Sequence, residues 1–205
     1  MRLPNSEYTS RPWRIHEIAR DFRLEDVWAI RAPGQPGDFQ QLVAGFAEFD
    51  PETDSSSRIV RGLFAMRWKL GRWLGWDRDQ RGIGERVDSL GARLPAELSA
   101  RPGPAIQGTP FRSLYQLDNE FACEIANETM HGVVHLGWVP ERGHAQMTVL
   151  VRPNGLFGQL YMLAIKPFRY LSVYPVLIAD VEQAWRQRST APPGSSDQPE
   201  RSASA

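Results

Sequence analysis

Cysteine is nearly absent: Cys123 is the only one in 205 residues. That excludes an intramolecular disulfide and a zinc site built on several thiolates, and it fits a reducing compartment. Lysine is nearly absent too. Of the 24 basic residues only Lys69 and Lys166 are lysines, an arginine bias that reads first as codon preference in a GC-rich genome. The formal net charge is zero, so no bulk attraction draws the chain to nucleic acid or to acidic lipid. The opening MRLPNSEYTSRPW has no apolar core segment, so no signal peptide is read there, and a cytoplasmic location is expected. There is no G-x-x-x-x-G-K-[ST], no G-x-S-x-G elbow, and no G-x-G-x-x-G opening a helix after a strand. Gly82-Ile83-Gly84 lacks the third glycine and the context. No cofactor is expected.

What is present is an apolar stretch at 154–187, NGLFGQLYMLAIKPFRYLSVYPVLIADVEQAWRQ. Leu156, Leu160, Leu163, Ile165, Leu171, Leu177, Ile178 and Val181 recur at helical intervals, with Phe157, Tyr161, Phe168, Tyr170 and Tyr174 between them. Asn154 suits an N-cap. At about 1.5 Å per residue such a helix runs about 45–50 Å, and Pro167 and Pro175 predict a bend. Lys166 and Arg169 fall in its middle, where a charge at bilayer depth costs about 2.5–3.5 kcal/mol, so a buried helix is expected and stable membrane insertion is not.

Composition makes this one globular domain, 1–187, followed by a disordered tail, 188–205. Residues 13–18 read as a short strand. Asp21 then caps a small helix in which Leu24, Val27 and Trp28 fall at i, i+3 and i+4. A proline- and glycine-rich loop leads to a helix at 38–49 with Phe39, Leu42, Val43, Phe46 and Phe49 on one side. Residues 58–76 read as an amphipathic helix whose Arg58, Arg61, Lys69 and Arg72 oppose an apolar stripe. This is either a solvated basic face or a weak membrane-surface contact. Residues 77–110 are irregular apart from a short helix around Val87, Leu90 and Leu94, and connections of that length are often lids.

Three strands alternate at 121–127, 129–139 and 144–151. With Asn127-Glu128 as a two-residue hairpin loop, Phe121 faces Val134, Cys123 faces Gly132 and Ile125 faces Met130. With 140–143 as a four-residue loop, Val134 faces Val149, Leu136 faces Met147 and Trp138 faces Ala145. Both loops put all these residues on one face, and a slip of one would set apolar against polar. Residues 113–117 can add a strand through a loop at 118–120, placing Tyr115 and Leu117 on that face as well. The fold class is therefore α+β: a curved antiparallel sheet wrapped around the C-terminal helix, with smaller helices near the N-terminus.

The same register puts Glu124 opposite His131 and Glu120 near His135, with Arg152 beside His131. Carboxylate–imidazole pairs suit acid/base work. They fall on the face away from the helix, however, where solvated cross-strand pairs are common and worth about 0.2–1 kcal/mol. No catalytic residue is assigned. His131 and His135 lie four residues apart on a strand, about 13 Å, too far to share one metal ion. Cys123, on the buried face, is inert. The remaining signal is a surplus of large apolar groups aimed at one interior: Trp28, Phe121, Met130, Trp138 and Met147 from the body, and Tyr161, Phe168 and Tyr174 from the helix. They either fill the core or line a cavity in which tyrosine hydroxyls orient a ligand.

The run VRPNGLFGQLYMLAIKPFRYLSVYPVLIADVEQAW (151–185) resembles the C-terminal signature of an uncharacterised bacterial domain family, found alone and fused behind NAD(P)-binding reductase-like domains. SRPWRIHEIARDFRLEDVWAI (10–30) and EIANETMHGVVHLGW (124–138) resemble its single-domain form, so the likeness covers nearly the whole chain up to about Arg188. That family is similar to the helix-grip (SRPBCC) superfamily of START lipid carriers, polyketide cyclases and birch-pollen-allergen-like proteins. Their strand followed by a small helix with a Val-Trp pair is matched by 15–28. The resemblance implies a hydrophobic pocket between sheet and helix but no reaction. It implies no nicotinamide cofactor either, since the reductase part is absent. The expected partner is a small hydrophobic ligand of lipid, polyketide or isoprenoid type. The alternatives are a cyclase- or dehydratase-like enzyme using the same pocket, and a peripheral membrane or partner-binding protein using helix 58–76.

Overall fold

A computed structural model of the chain describes residues 1–50, 53–58, 61, 62, 69, 87–127, 129–168 and 173–190. Most of the expected helix 58–76, all of 77–86 and the tail from 191 onward lie outside the described residues. The elements run α1 (Ser6–Thr9), α2 (Ile15–Ile18), β1 (Arg23–Arg31), α3 (Phe39–Glu48), α4 (Ala96–Ser99), β2 (Arg112–Gln116), β3 (Glu120–Ala126), β4 (Met130–Val139), β5 (His144–Pro153), α5 (Gly155–Phe168) and α6 (Tyr174–Thr190). The five strands make one antiparallel sheet in the order β1-β5-β4-β3-β2. The fold is α+β, as the sequence implies.

The β4–β5 pairing follows the expected register: Val134 meets Val149, Leu136 meets Met147 and Trp138 meets Ala145. Pro140 opens the connecting 3-10 turn, and Gly143 closes it at φ +64°. The β3–β4 pairing is shifted by two residues from expectation. Phe121 meets Leu136, Cys123 meets Val134 and Ile125 meets Gly132. The cause is the Asn127 side chain, whose Oδ1 accepts from Thr129 N, Thr129 Oγ1 and Met130 N, while Asn127 N donates to Met130 O. Asn127 is thus a partner in the hairpin and not its first loop residue. Because strand side chains alternate with period two, the shift leaves every residue on its expected face.

Other expectations are corrected. Residues 23–31 form a strand, not a helix. A bulge between Leu24 and Asp26 changes which residues share a face, so the apolar positions fall at helix-like intervals. Conversely, 15–18 is a helical turn and not a strand. Tyr115 and Leu117 belong to the opposite face, because the turn is one residue tighter than expected: Leu117 N donates to Glu120 O, so Tyr115 pairs with Ala122 and shares its side with Val133 and Leu150.

The C-terminal rod is described in two helical stretches, α5 and α6; residues 169–172 lie outside the described residues. α6 lies over the sheet. Its Tyr174, Ile178, Val181 and Trp185 recur at i, i+4, i+7 and i+11 and join the cluster of Trp28, Phe39, Phe121, Leu136, Trp138 and Met147. On α5, Leu156, Leu160 and Leu163 are exposed by 72%, 59% and 67%, so the sheet does not cover the whole rod. Asn154 is not free to cap α5 alone: its Nδ2 donates to Asn127 O, tying the helix start to the β3–β4 hairpin. Among the described residues no helix is long and apolar enough to cross a membrane.

Both faces of the sheet are buried. The face away from α6 carries a second core, in which Tyr8, Trp13, Ile15 and Ile18 of the N-terminal segment and Leu90 and Leu98 of the 88–99 segment cover Val27, Val133, Val139 and Leu150. This overturns the expectation that the Glu–His pairs stand in solvent.

Candidate functional site

The α6 side of the sheet does not pack solid. A cavity of about 290 Å³ lies among β1, β3, β4, β5, α3, α6 and the loop before β2. Met130, Val134, Met147 and Val149 form its floor. Tyr174, Leu177, Ile178 and Val181 form its roof. Phe46 and Phe49 at the end of α3, with Ile106, Thr109 and Phe111 of the loop, close one side. Gly132 leaves the floor open: a Cβ there would come within 3.2 Å of Met130 Sδ and 3.5 Å of Ile125 Cγ2, all on the cavity side. None of the described lining residues is charged. The volume is about twice the roughly 150 Å³ of a dry, apolar engineered cavity that takes up benzene.

Of the eight residues singled out from the sequence, Met130, Met147 and Tyr174 line this cavity. Trp28, Phe121 and Trp138 stand on the same face but serve as packed walls behind it. Trp28 meets the Tyr174 ring edge-on at 5.7 Å, Phe121 meets Phe46 at 6.2 Å, and Trp138 lies between Phe39 and Trp185 at 5.8 and 6.2 Å. Each such buried ring is worth about 1.5–3 kcal/mol to the fold. Tyr161 and Phe168 belong to α5, and their side chains lie outside the described residues. Sequence reasoning missed the loop residues Ile106, Thr109 and Phe111. The available signal was the length of the 77–110 connection, because long connections tend to close over sites.

Cys123 faces α6, fully buried, with its Sγ 3.7 Å from Val134 O. Burial pushes the thiol well above its ordinary value, so it is no nucleophile.

The ionisable groups gather on the other face. His131 Nε2 is 2.8 Å from Glu124 Oε2, and Glu124 also accepts from Ser89 Oγ and from Leu90 N at 3.0 Å. His135 Nε2 lies 3.2 Å from Glu120 Oε1, close in charge but poorly angled for a hydrogen bond. Glu120 accepts from Arg14 N at 2.8 Å, Ile15 N at 2.9 Å and the Tyr115 hydroxyl. Each glutamate therefore satisfies the first N–H groups of a short helical turn in the covering layer, α2 in one case and Leu90–Arg93 in the other. Arg152 does not join them. It pairs with Asp21 at 2.6 Å, and Asp21 also holds Arg93 at 2.7 Å. The histidines are enclosed by rings, Phe22 on His131 and Tyr8 and Trp13 around His135, so no substrate reaches them. These pairs bind the layers together and face away from the cavity. Among the described residues, no three His, Cys, Asp or Glu side chains cluster as a metal site.

Burial alone would raise the Glu120 and Glu124 carboxyls. The close contact of His135 and the bond from Tyr115, and for Glu124 the bonds from His131 and Ser89, outweigh it and hold both below their ordinary value. Asp21, bonded first by Arg93, is held at about 2. A depressed folded value contributes stability above the unfolded value near 4–4.5, lost as pH falls through the folded one. The thermal midpoint is therefore expected to stay level down to about pH 5 and to fall steeply between about pH 4.5 and 2. Melts followed by circular dichroism at pH 6, 4 and 3 check this, and an unchanged midpoint at pH 3 contradicts it.

No curated protein and no solved structure matches the chain. The family described as "Protein of unknown function (DUF2867)" matches over residues 18–176, which takes in every strand of the sheet, α5 and the first turn of α6. With well over half its length inside that match, the chain belongs to this uncharacterised family.

Proposed function

We propose that the protein binds a small hydrophobic ligand of lipid, polyketide or isoprenoid type in the cavity between the sheet and α6. The observation that carries this reading is a space of about 290 Å³ walled mainly by aliphatic, aromatic and thioether groups, with no charged side chain among the described lining residues. Apolar pockets with a few polar groups are the usual form of small-molecule sites. Among the described lining residues Tyr174 is the one titratable group, so the geometry favours binding over acid/base chemistry there.

The arrangement also supports a likeness to the helix-grip proteins. A curved antiparallel sheet holds a C-terminal helix across one face, with a ligand-sized gap between. The departure is a sheet of five strands. In the same reading the protein works in the cytoplasm without nucleic acid and without stable insertion into a membrane. The neutral net charge and the single buried thiol support it.

Filling the floor tests the reading. Gly132→Leu projects a side chain from β4 into the cavity, and the atoms its Cβ meets first belong to the flexible Met130 side chain. The neutral dye N-phenyl-1-naphthylamine is expected to bind the native protein with stoichiometry one. Binding by Gly132→Leu is expected to be at least about tenfold weaker, since occupied volume cannot be shared in a close-packed interior. Native mass spectrometry of the freshly purified protein should show a bound lipophile lost in the variant. Equal dye binding by both proteins, or by neither, overturns the reading.

A further inference from the structure

The ligand class can be narrowed, on the footing of the binding reading just given. Among the described lining residues only two side chains carry oxygen, Thr109 and Tyr174. The Thr109 hydroxyl is buried and has no hydrogen-bond partner among the described residues. Its position is well determined. Gly108, at φ +66°, turns the loop tightly against the end of α3, where a Cβ would come within 2.7 Å of Asp50 Oδ2. One residue earlier, Gln107 N donates to Ala47 O at 2.9 Å. The loop is therefore pinned to α3, and Thr109 is presented to the cavity between Ile106 and Phe111, which also line it.

A valine at this position would have the same shape and no polar atom to satisfy. A buried hydroxyl without a partner costs about 1–3 kcal/mol, so its presence on an otherwise hydrocarbon wall calls for a partner inside the cavity. A threonine hydroxyl donates one hydrogen bond and accepts others, so it serves an alcohol or a carbonyl equally well. Among the described lining residues no arginine, lysine or histidine is present to receive a carboxylate or phosphate, and an unpaired ion in such a place is strongly disfavoured.

We propose that the cavity takes a neutral lipophile of about two-ring size bearing one hydrogen-bonding oxygen, an alcohol or a ketone, that this oxygen docks on Thr109 Oγ1, and that the corresponding carboxylates are rejected. The binding mode is one polar anchor at the loop, with the hydrocarbon body lying between Met147 on the floor and Ile178 on the roof.

Calorimetric titration at pH 7 with naphthalene, 2-naphthol and 2-naphthoate tests this on the native protein, Thr109→Val and Gly132→Leu. The native protein should bind 2-naphthol about five- to tenfold more tightly than naphthalene. It should bind 2-naphthoate more than about a hundredfold less tightly than 2-naphthol. Thr109→Val should keep its naphthalene affinity, which shows that the cavity is intact, and should lose the preference for the naphthol. A naphthol preference that survives in Thr109→Val overturns the anchor, as it would if a cavity water and not the ligand satisfied the hydroxyl. Naphthoate binding on a par with naphthol overturns the exclusion of charge. Naphthalene bound by the native protein and lost in Gly132→Leu would leave the cavity reading standing in either case. If naphthalene binds neither protein, or binds both alike, the cavity reading falls and this inference falls with it.

Discussion

Glu120→Ala is expected to lower the unfolding free energy by about 3–5 kcal/mol, because it leaves buried donors and a buried imidazole without their acceptor. Four groups lose their partner at once: Arg14 N, Ile15 N, the Tyr115 hydroxyl and His135. Glu120 is only 2% exposed, so water does not replace them without opening the layer. For a chain of this length the midpoint should fall by roughly 6–20 °C. Urea titration of Glu120→Ala and Glu120→Gln measures it. The glutamine keeps an acceptor for the backbone of α2 and should recover part of the loss. A second comparison separates the cap from the ion pair. Replacing a buried pair by apolar groups of similar size is often neutral or stabilising. Here, Glu124→Met with His131→Leu should remain destabilised, because Leu90 N and Ser89 Oγ still lose their acceptor. Glu120→Ala within about 1 kcal/mol of the native protein would mean that the layer is held by apolar contact alone.

Gly158→Ala is the second substitution with a large expected effect. A Cβ at this position of α5 would lie 2.1 Å from the carbonyl oxygen of Thr129, a backbone atom with no freedom to swing aside. That same oxygen accepts from Asn154 N at 2.8 Å, so the methyl group also strikes the bond that starts the helix. Alanine normally stabilises a helix relative to glycine by about 0.8–1 kcal/mol, and that gain is outweighed here by a contact which forces α5 off the hairpin. A net loss of about 1–3 kcal/mol is expected. Hydrogen exchange should localise the change to 153–168 and to the β3–β4 turn, leaving β1 and α3 protected. A more stable Gly158→Ala would show that α5 does not rest on the turn.

What was legible in the sequence was parity, meaning which residues share a face. Phe121, Val134, Met147 and Trp138 were assigned together because alternation in β3, β4 and β5 is continuous, and they are together. Absolute register was legible only where the turn chemistry was unambiguous, at Pro140 and Gly143. At Asn127 the side chain completes the turn, and the pairing moved by two. Alternation fails at the β1 bulge, where Leu24, Val27 and Trp28 mimic a helix, and a turn one residue tighter than expected puts Tyr115 on the other face. Burial of Glu120 and Glu124 was not legible either, because the segments that cover them, 1–22 and 88–99, are too short and irregular to announce a layer. For the cavity, the strand and helix residues could be read from period and size. Thr109 could not, since a single threonine in a polar loop carries no pattern.

The alternating pleat of β3 and β4 has an evolutionary corollary. Adjacent positions along one strand then answer to separate selective demands under the proposed binding function: Gly132 and Val134 shape the cavity, while His131 and His135 face the second core. Under that proposal, substitutions at the first set retune ligand preference without eroding the scaffold. Relatives with different cargoes should accordingly diverge at every other position along these strands.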